Sequence, residues 1–211
     1  MQSIFKNFKY FLFPYIVFVL FCLICLVIFS KSYLFFIINE NHNQFFDFVF
    51  YITNNLGDGW CFGILLISVF FFLQRKLFFL GIIIFTSSTL VSIIFKWLIF
   101  KDSLRPRSWF KNSEIIHFVD GVTVYTNHSF PSGHTITAFS LAIYCTYVVK
   151  NKKYGLLFLF LAIMAGYSRI YLGQHFFGDV TFGSIISVIT SLTCVFYYER
   201  YFGKDDLFVK V

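Results

Sequence analysis

Residues 129–135, Ser-Phe-Pro-Ser-Gly-His-Thr, organise the rest of this chain, and a long apolar run follows them at once. We expect it to form the N-terminal turn of a membrane helix. Pro131 fixes the backbone before the turn, and Gly133 allows that backbone to approach a ligand closely. The free N–H groups at a helix start form a ready site for an anion. His134, beside them, can donate or accept a proton near neutral pH.

Two further polar clusters flank this turn along the chain. The cluster that follows it comprises Ser168, Arg169, His175 and Asp179. The cluster that precedes it comprises Lys96, Lys101, Arg105 and Pro106. Both contain arginine, whose guanidinium group can bind phosphate oxygens through two parallel hydrogen bonds. We therefore expect the three clusters to meet around one phosphate group.

The composition is that of an integral membrane protein. Of the 211 residues, 58% are hydrophobic, 24% are aromatic and 13% are charged, and the mean hydropathy is +0.76. Soluble domains carry roughly 45–50% apolar and about 25% charged residues. We expect a single domain over residues 1–211. The five cysteines lie within apolar runs, and Cys22 and Cys25, despite their CxxC spacing, are best explained by helix packing, without disulfides.

The apolar segments predict an all-α fold, a bundle of six transmembrane helices. They cover approximately residues 11–29, 60–73, 77–100, 133–149, 154–172 and 176–198. The aromatic segment 45–52 is either an interfacial helix or the sloping start of the second helix. Residues 57–59, Gly-Asp-Gly, end that segment.

The basic residues predict the orientation of the bundle. Six helices place both termini on one side, and ten of the 17 basic residues fall there: Lys6, Lys9, Arg75, Lys76, Lys150, Lys152, Lys153, Arg200, Lys204 and Lys210. Because basic loops stay in the cytoplasm, the loop 101–131 and the turn 172–175 are expected to face outward. Topology thus explains these charges, and we do not expect the formal charge of +7 to serve nucleic acid binding.

Each polar residue also has a purely structural interpretation. His175 and Asp179 are four positions apart, which on a helix places them on one face, where the acid could orient the histidine or merely cap the helix. Arg169 could clamp a phosphate or extend to the lipid headgroups. Ser132 and Gly133 alone are a routine helix start. No acidic, histidine or cysteine cluster has the spacing of a metal site, so we expect no metal and no cofactor.

The combination of these motifs resembles the type 2 phosphatidic acid phosphatase (PAP2) superfamily, which shares its site with glucose-6-phosphatase and vanadium haloperoxidases. The resemblance covers residues 96–179. Residues 131–134, Pro-Ser-Gly-His, complete the second signature of the family, and Ser168-Arg169 with His175 and Asp179 completes the third. The resemblance implies a helical PAP2/haloperoxidase-like core and, through the six-helix plan, the membrane branch of the family.

The first signature departs from the family pattern of lysine, six residues, then Arg-Pro. Leu98 stands at the lysine position relative to Arg105, whereas Lys96 comes two residues too early and Lys101 three residues too late. We favour Lys96 and keep Lys101 as its rival. Arg107 could also replace Arg105 in a shifted frame.

The resemblance implies a mechanism and a set of roles. His175 attacks phosphorus to form a phosphohistidine, Asp179 orients it, and His134 protonates the leaving oxygen and then activates water. The phosphate oxygens are bound by Lys96 or Lys101 and by Arg105, Ser132, Gly133 and Arg169. We expect activity without a metal ion, since these groups supply the charge that Mg²⁺ supplies elsewhere.

A site at the outer ends of membrane helices favours a lipid phosphate or diphosphate as the substrate. The family offers undecaprenyl diphosphate, phosphatidate, phosphatidylglycerol phosphate and lipid A phosphates, and the expected location is a bacterial inner membrane with the site in the periplasm. The first alternative is a lipid phosphotransferase that uses the same histidine with an alcohol acceptor. A non-enzymatic phospholipid-binding or transport protein ranks lower, and a haloperoxidase ranks last.

Overall fold

The computed structural model describes residues 2–110 and 115–202, with side chains from residue 7 onward. Regular structure in these ranges is helical, apart from an isolated bridge between Leu104 and Asn127. The α-helices described are α1 (Gln2–Ile28), α2 (Lys31–Asn39), α3 (Gln44–Asn54), α4 (Gly59–Phe72), α5 (Arg75–Ile94), α6 (Pro106–Trp109), α7 (Gly133–Val148), α8 (Gly155–Tyr171) and α9 (Phe177–Phe202). The all-α prediction is confirmed.

Helix α7 forms the centre of the bundle and packs against α5, α8 and α9. Its Ser140 is fully buried and joins three helices through hydroxyl groups. The Ser140 hydroxyl donates to Ser88 of α5 at 2.8 Å, lies 2.9 Å from the hydroxyl of Ser187 and accepts from Ser191 of α9 at 3.2 Å. Small hydroxyl side chains let helices approach closely and bond across the interface where water is absent.

The direction of α1 relative to α9 shows which ends of these two helices lie together. Phe8, early in α1, stacks on Tyr147 near the end of α7, and Leu26, late in α1, faces Gly178 at the start of α9. Helices α1 and α9 therefore run antiparallel. The start of α1 and the end of α9 lie together at one end of the bundle, which we call the far end. The polar end is the opposite one, where α8 ends and α7 and α9 begin.

The criteria of length and hydropathy do not confirm the predicted count of six membrane helices. Within the described residues, four helices are long and apolar enough to span a membrane, or five if the bent pair formed by Gln44–Gly57 and Gly59–Phe72 is one span. Helix α7 has only 16 residues, against the ~20 of a typical span. The count of six therefore stays a prediction.

The segment 45–52 lies within α3, which continues through a 3₁₀ turn at Asn55–Gly57 and then bends by 58° into α4. This arrangement favours the sloping start of the second helix over a separate interfacial helix. Helix α2 was not predicted. Its signal is Ser30, whose side chain accepts from the backbone N–H of Tyr33 and caps the helix.

Two further sequence predictions concern the cysteines and the basic residues. All five cysteines are free. Lys204 and Lys210, two of the charges used to predict the orientation, lie outside the described residues, as does the side chain of Lys6.

Candidate active site

His175 and Asp179 lie at the polar end, between α8 and α9. His175 precedes α9 by two residues rather than standing on it, which corrects the expectation of a shared helical face. Its backbone N–H donates to the carbonyl of Arg169 at 3.0 Å. Its Nδ1 lies 3.5 Å from Oδ2 of Asp179, and the two side chains are only 1% and 8% exposed. The pair predicted from the sequence spacing is thus brought together and sealed from solvent.

The Asp179 carboxylate is held firmly by its neighbours. Its Oδ2 accepts from the hydroxyl of Ser129 at 2.5 Å and from the backbone N–H of Phe176 at 3.0 Å. The backbone carbonyl of Asp179 accepts from the N–H of Ser132 at 3.0 Å. The start of α9 is therefore attached directly to the 129–135 turn.

Burial lowers the pKa of His175 well below its usual value, and the nearby cations Arg105, Arg169 and Lys96 lower it further. A histidine in a buried, cationic environment stays neutral, because burial and like charge both disfavour the protonated ring. A neutral imidazole is the form that can attack phosphorus.

Arg169 stands in the last turn of α8, 3% exposed. Its Nη1 donates to Oδ1 of Asn54, in the last turn of α3. Its Nε has no hydrogen-bond partner among the described residues. A buried guanidinium group with a free donor is costly unless an anion compensates it, so the position suits a phosphate. Ser168 does not share that role, because its hydroxyl donates to the carbonyl of Ala165 within α8.

Arg105 is buried beneath the polar loop. Its Nε donates to the carbonyl of Asn127 at 2.9 Å, and its Nη1 lies 3.4 Å from both the carbonyl and the Oε1 of Gln174, the residue before His175. The ring of Tyr125 lies under the guanidinium at 5.0 Å. These contacts fix Arg105 beside the nucleophile candidate, whereas Arg107 lies over the ring of Phe118.

The position of Lys96 favours it over Lys101. A Cβ atom placed on Gly133 would lie 3.2 Å from Nζ of Lys96, so the ammonium group reaches the first residue of α7. Lys101 is exposed. Lys96 lies in a π-helical turn, Phe95–Ile99, that ends α5. Such a turn accommodates an extra residue per turn, which accounts for part of the unusual distance in sequence between Lys96 and Arg105.

Ser132 and Gly133 form the start of α7 as expected. The Ser132 hydroxyl accepts from the hydroxyl of Thr135 at 2.9 Å and from its N–H at 3.4 Å, which makes it the helix N-cap. A Cβ on Gly183 of α9 would lie 3.1 Å from the carbonyl oxygen of Ser132. Glycine at that position therefore lets α9 pack directly on the turn. A contact of Ser132 or Gly133 with phosphate stays a prediction.

His134 has a partner that the sequence did not reveal. Its Nε2 lies 2.7 Å from Oδ1 of Asp58, and both side chains are 29% exposed. Asp58 stands between the 3₁₀ turn and α4. A Cβ on the preceding Gly57 would lie 2.7 Å from Cβ of His134, so only glycine allows this approach. From the sequence alone, Gly-Asp-Gly at 57–59 indicates only a helix break.

The chemistry of the assembled residues is that of an anion site. His134 has Lys96 and Arg169 among its charged neighbours, and His175 has these two together with Arg105. Among the described residues, no group of three or more His, Cys, Asp or Glu side chains is arranged to hold a metal ion. Three cations and two histidines facing one another suit binding of a phosphate and proton transfer to or from it.

A bundle of apolar helices with a cluster of cations and histidines at one end is typical of a membrane-embedded phosphatase. Residues 75–202 match the family model described as the PAP2 superfamily, which is more than half of the chain, and the chain belongs to that superfamily.

Similar proteins place the chain within the family. It is 28% identical over 162 residues to a lipid A 4'-phosphatase of Porphyromonas gingivalis, covering 74% of this chain and 67% of the relative. It is 41% identical over 66 residues to the bacitracin transport permease protein BcrC of Bacillus licheniformis, covering 31% of this chain and 32% of the relative. The crystal structure of Aquifex aeolicus LpxE superposes with a TM-score of 0.69 and 27% identity, covering 81% of this chain and 98% of that one.

These relatives and the apolar helices identify an integral membrane protein, a lipid phosphatase of the PAP2 superfamily that acts on a lipid phosphate.

Proposed function

We propose that this protein hydrolyses a phosphate ester on a lipid headgroup through a phosphohistidine formed on His175, and that a lipid A phosphate is the first substrate to test. The observation that carries the proposal is the convergence of His175, His134 and the cations Lys96, Arg105 and Arg169 at one end of a membrane bundle. The preference for lipid A rests on the similarity to the lipid A 4'-phosphatase of Porphyromonas gingivalis. Undecaprenyl diphosphate, phosphatidate and phosphatidylglycerol phosphate remain in the test panel.

In the first step, the neutral ring of His175 attacks phosphorus in line with the departing oxygen. Its Nδ1 faces Asp179, so Nε2 is the attacking atom. A phosphorus–nitrogen bond forms as the phosphorus–oxygen bond to the lipid breaks, and His134 donates a proton to the leaving oxygen. Asp179 stabilises the positive charge that the ring of His175 acquires.

In the second step, water attacks the phosphohistidine. His134, now neutral, accepts a proton from that water, the phosphorus–nitrogen bond breaks and inorganic phosphate leaves. His175 returns to its neutral form and His134 to its protonated form, so the cycle closes without a net change in the enzyme.

The three cations stabilise the charge on the phosphate oxygens in both steps. Phosphoryl transfer depends mainly on positioning and on charge stabilisation. Lys96, Arg105 and Arg169 supply charge fixed in place, which supports a reaction that needs no metal ion. Ser132 and the N–H of Gly133 are proposed to add donors at the helix start.

We also propose a bacterial inner membrane as the location, with the polar end in the periplasm and both termini in the cytoplasm. The shared position of the start of α1 and the end of α9 at the far end supports placing both termini on one side of the membrane, and the basic residues at that end favour the cytoplasmic side. The whole chain, residues 1–211, is proposed to act as one domain.

Phosphate release from a panel of lipid phosphates by the detergent-purified protein tests the function. We expect release of inorganic phosphate, fastest from a lipid A phosphate. A parallel assay with added alcohol separates hydrolysis from phosphotransfer, because a transferase would yield a phosphorylated alcohol instead of free phosphate. No release from any member of the panel would contradict the proposal.

A further inference from the structure

The break between α3 and α4 lies outside the matched family segment 75–202 and yet contacts two residues of the candidate site. Asn54, at the end of α3, accepts from Arg169. Asp58, at the start of α4, lies 2.7 Å from His134. The bend of 58° between the two helices therefore directs polar side chains into the site instead of merely interrupting a membrane span.

The side chain of Asp58 does not cap helix α4, although its position predicts that it would. It occupies the N-cap of α4 with extended backbone angles, but its side chain makes no capping hydrogen bond. An aspartate at an N-cap normally accepts from a backbone N–H two or three residues on, which stabilises the helix by about 1 kcal/mol. Its carboxylate instead faces His134 and accepts from the indole N–H of Trp60 at 3.3 Å. A side chain that lacks its expected stabilising hydrogen bond and contacts a polar cluster instead is typical of a functional site.

We propose that Asp58 is a positioning residue that orients His134 and stabilises its protonated form for transfer of the proton to the leaving oxygen. The inference rests on the proposed function, in which His134 is the general acid. The carboxylate holds the Nε2–H of the ring and thereby leaves Nδ1 to give its proton to the departing oxygen and to take one from water. This is the arrangement by which an acid fixes the tautomer of a catalytic histidine.

The charges around His134 explain why such a partner is needed. Burial does most to disfavour the protonated form of the ring, and Arg169 from α8 and Lys96 from the π-helical turn disfavour it further. Among the described residues, Asp58 supplies the carboxylate that opposes them. Without it, the ring would stand among cations alone and would lose its proton at a lower pH.

The test compares Asp58→Asn and Asp58→Glu with the wild-type protein and with Asp120→Asn, which removes an exposed charge from the polar loop. We expect Asp58→Asn to lower the rate of the phosphorylation step, measured by rapid quench, by about 10–100-fold for a lipid phosphate, with a smaller loss for an aryl phosphate whose leaving group needs little protonation. The alkaline limb of the kcat profile should move to lower pH. Asp58→Glu should recover part of the loss, and Asp120→Asn should match the wild type.

Two outcomes would overturn the inference: equal losses for both leaving groups, or an unchanged pH profile in Asp58→Asn. Titration of ¹⁵N-labelled histidine by NMR in detergent supplies a readout that needs no turnover. There, Asp58→Asn should move the midpoint of His134 to lower pH, and an unmoved midpoint would contradict the inference. A wild-type protein that releases no phosphate would defeat the proposed function, while the NMR result would still decide the Asp58–His134 pairing.

Discussion

The candidate site contains two histidine–carboxylate pairs, one closed and one open. His175 and Asp179 are 1% and 8% exposed and come from the α8–α9 turn and the first turn of α9. His134 and Asp58 are each 29% exposed and come from separate parts of the chain. The closed pair has a contact of 3.5 Å, while the open pair is joined at 2.7 Å.

The difference matches the two tasks that the proposed mechanism assigns. A nucleophile must stay neutral, and burial among cations favours the neutral ring. An acid that also acts as a base must regain and lose protons in each turnover, which partial exposure to water permits. Exposure and the approach of the acid together separate the two roles, because His175 is sealed and 3.5 Å from Asp179, whereas His134 is partly exposed and 2.7 Å from Asp58.

Removal of the closed histidine gives the largest expected effect. His175→Ala should lower phosphate release by roughly 10⁴-fold or more, because it removes the imidazole that forms the proposed phosphorus–nitrogen bond. His42→Ala, which removes an exposed histidine stacked on His117, is the matched control and should keep its activity. Size-exclusion chromatography and thermal unfolding check that both proteins fold. Near-normal turnover in His175→Ala would eliminate the nucleophile assigned here.

Removal of the open histidine should cost less, and the loss should depend on the leaving group. His134→Ala is expected to lower kcat by about 10²–10⁴-fold for a lipid phosphate, the usual contribution of general acid–base catalysis. An aryl phosphate should lose less in the phosphorylation step. Rapid-quench measurement of that step for both substrates makes the comparison. An identical loss for both would show that His134 does not protonate the leaving oxygen.

Lys96 belongs to neither pair but is a charged neighbour of both histidines. Lys96→Gln should lower kcat/KM by roughly 10²-fold, in line with loss of one fixed donor to a developing charge. The exposed Lys101 should tolerate the same change to glutamine with little effect, because exposed charges contribute little. Steady-state kinetics of the two variants decide between the rival lysines. A greater loss in Lys101→Gln would reverse the assignment.

The pH dependence of kcat/KM tests the closed pair without a mutation. Only neutral His175 attacks, and its pKa is well below the usual value, so the ring stays neutral as the pH falls through ~6.5. The acid limb of kcat/KM that belongs to His175 should therefore lie below pH ~6.5. Repeating the profile with an ester of lower phosphate pKa identifies any limb that belongs to the substrate. A histidine limb at or above ~6.5 would argue that the nucleophile is not sealed.

Chelation should produce the smallest effect. Because Lys96, Arg105 and Arg169 supply the positive charge in the proposed site, activity in excess EDTA should stay within about two-fold of the untreated enzyme. Phosphate release before and after chelation measures this. Loss of turnover that Mg²⁺ restores would require a metal ion in the mechanism.

The sequence predicted those parts of the site whose residues are close together in the chain or belong to one compact motif. The spacing of His175 and Asp179 indicated a pair, and the 129–135 stretch indicated a helix start. Lys96 and Lys101 could not be separated, because the deciding feature is a π-helical turn that changes the register of α5. The structure separates them by exposure and by the approach of Lys96 to Gly133.

Asp58 and Asn54 were missed for a different reason. Their partners, His134 and Arg169, are distant in sequence, and no local sequence pattern predicts such a contact. Asp58 also stands at a helix start after glycine, where an aspartate usually serves as a cap. Its functional role becomes visible only when the bend between α3 and α4 places it against α7.

Asn39 illustrates what a shortened version of this enzyme would lack. Its buried amide donates to the carbonyls of His117 and Tyr171 and accepts from the N–H of His117, so one side chain ties the polar loop to the end of α8. A catalytic fragment trimmed to the shared family segment would keep both Arg169 and the nucleophile. It would nevertheless lose the hydrogen bonds of Asn39. A functional fragment should therefore retain the first 74 residues.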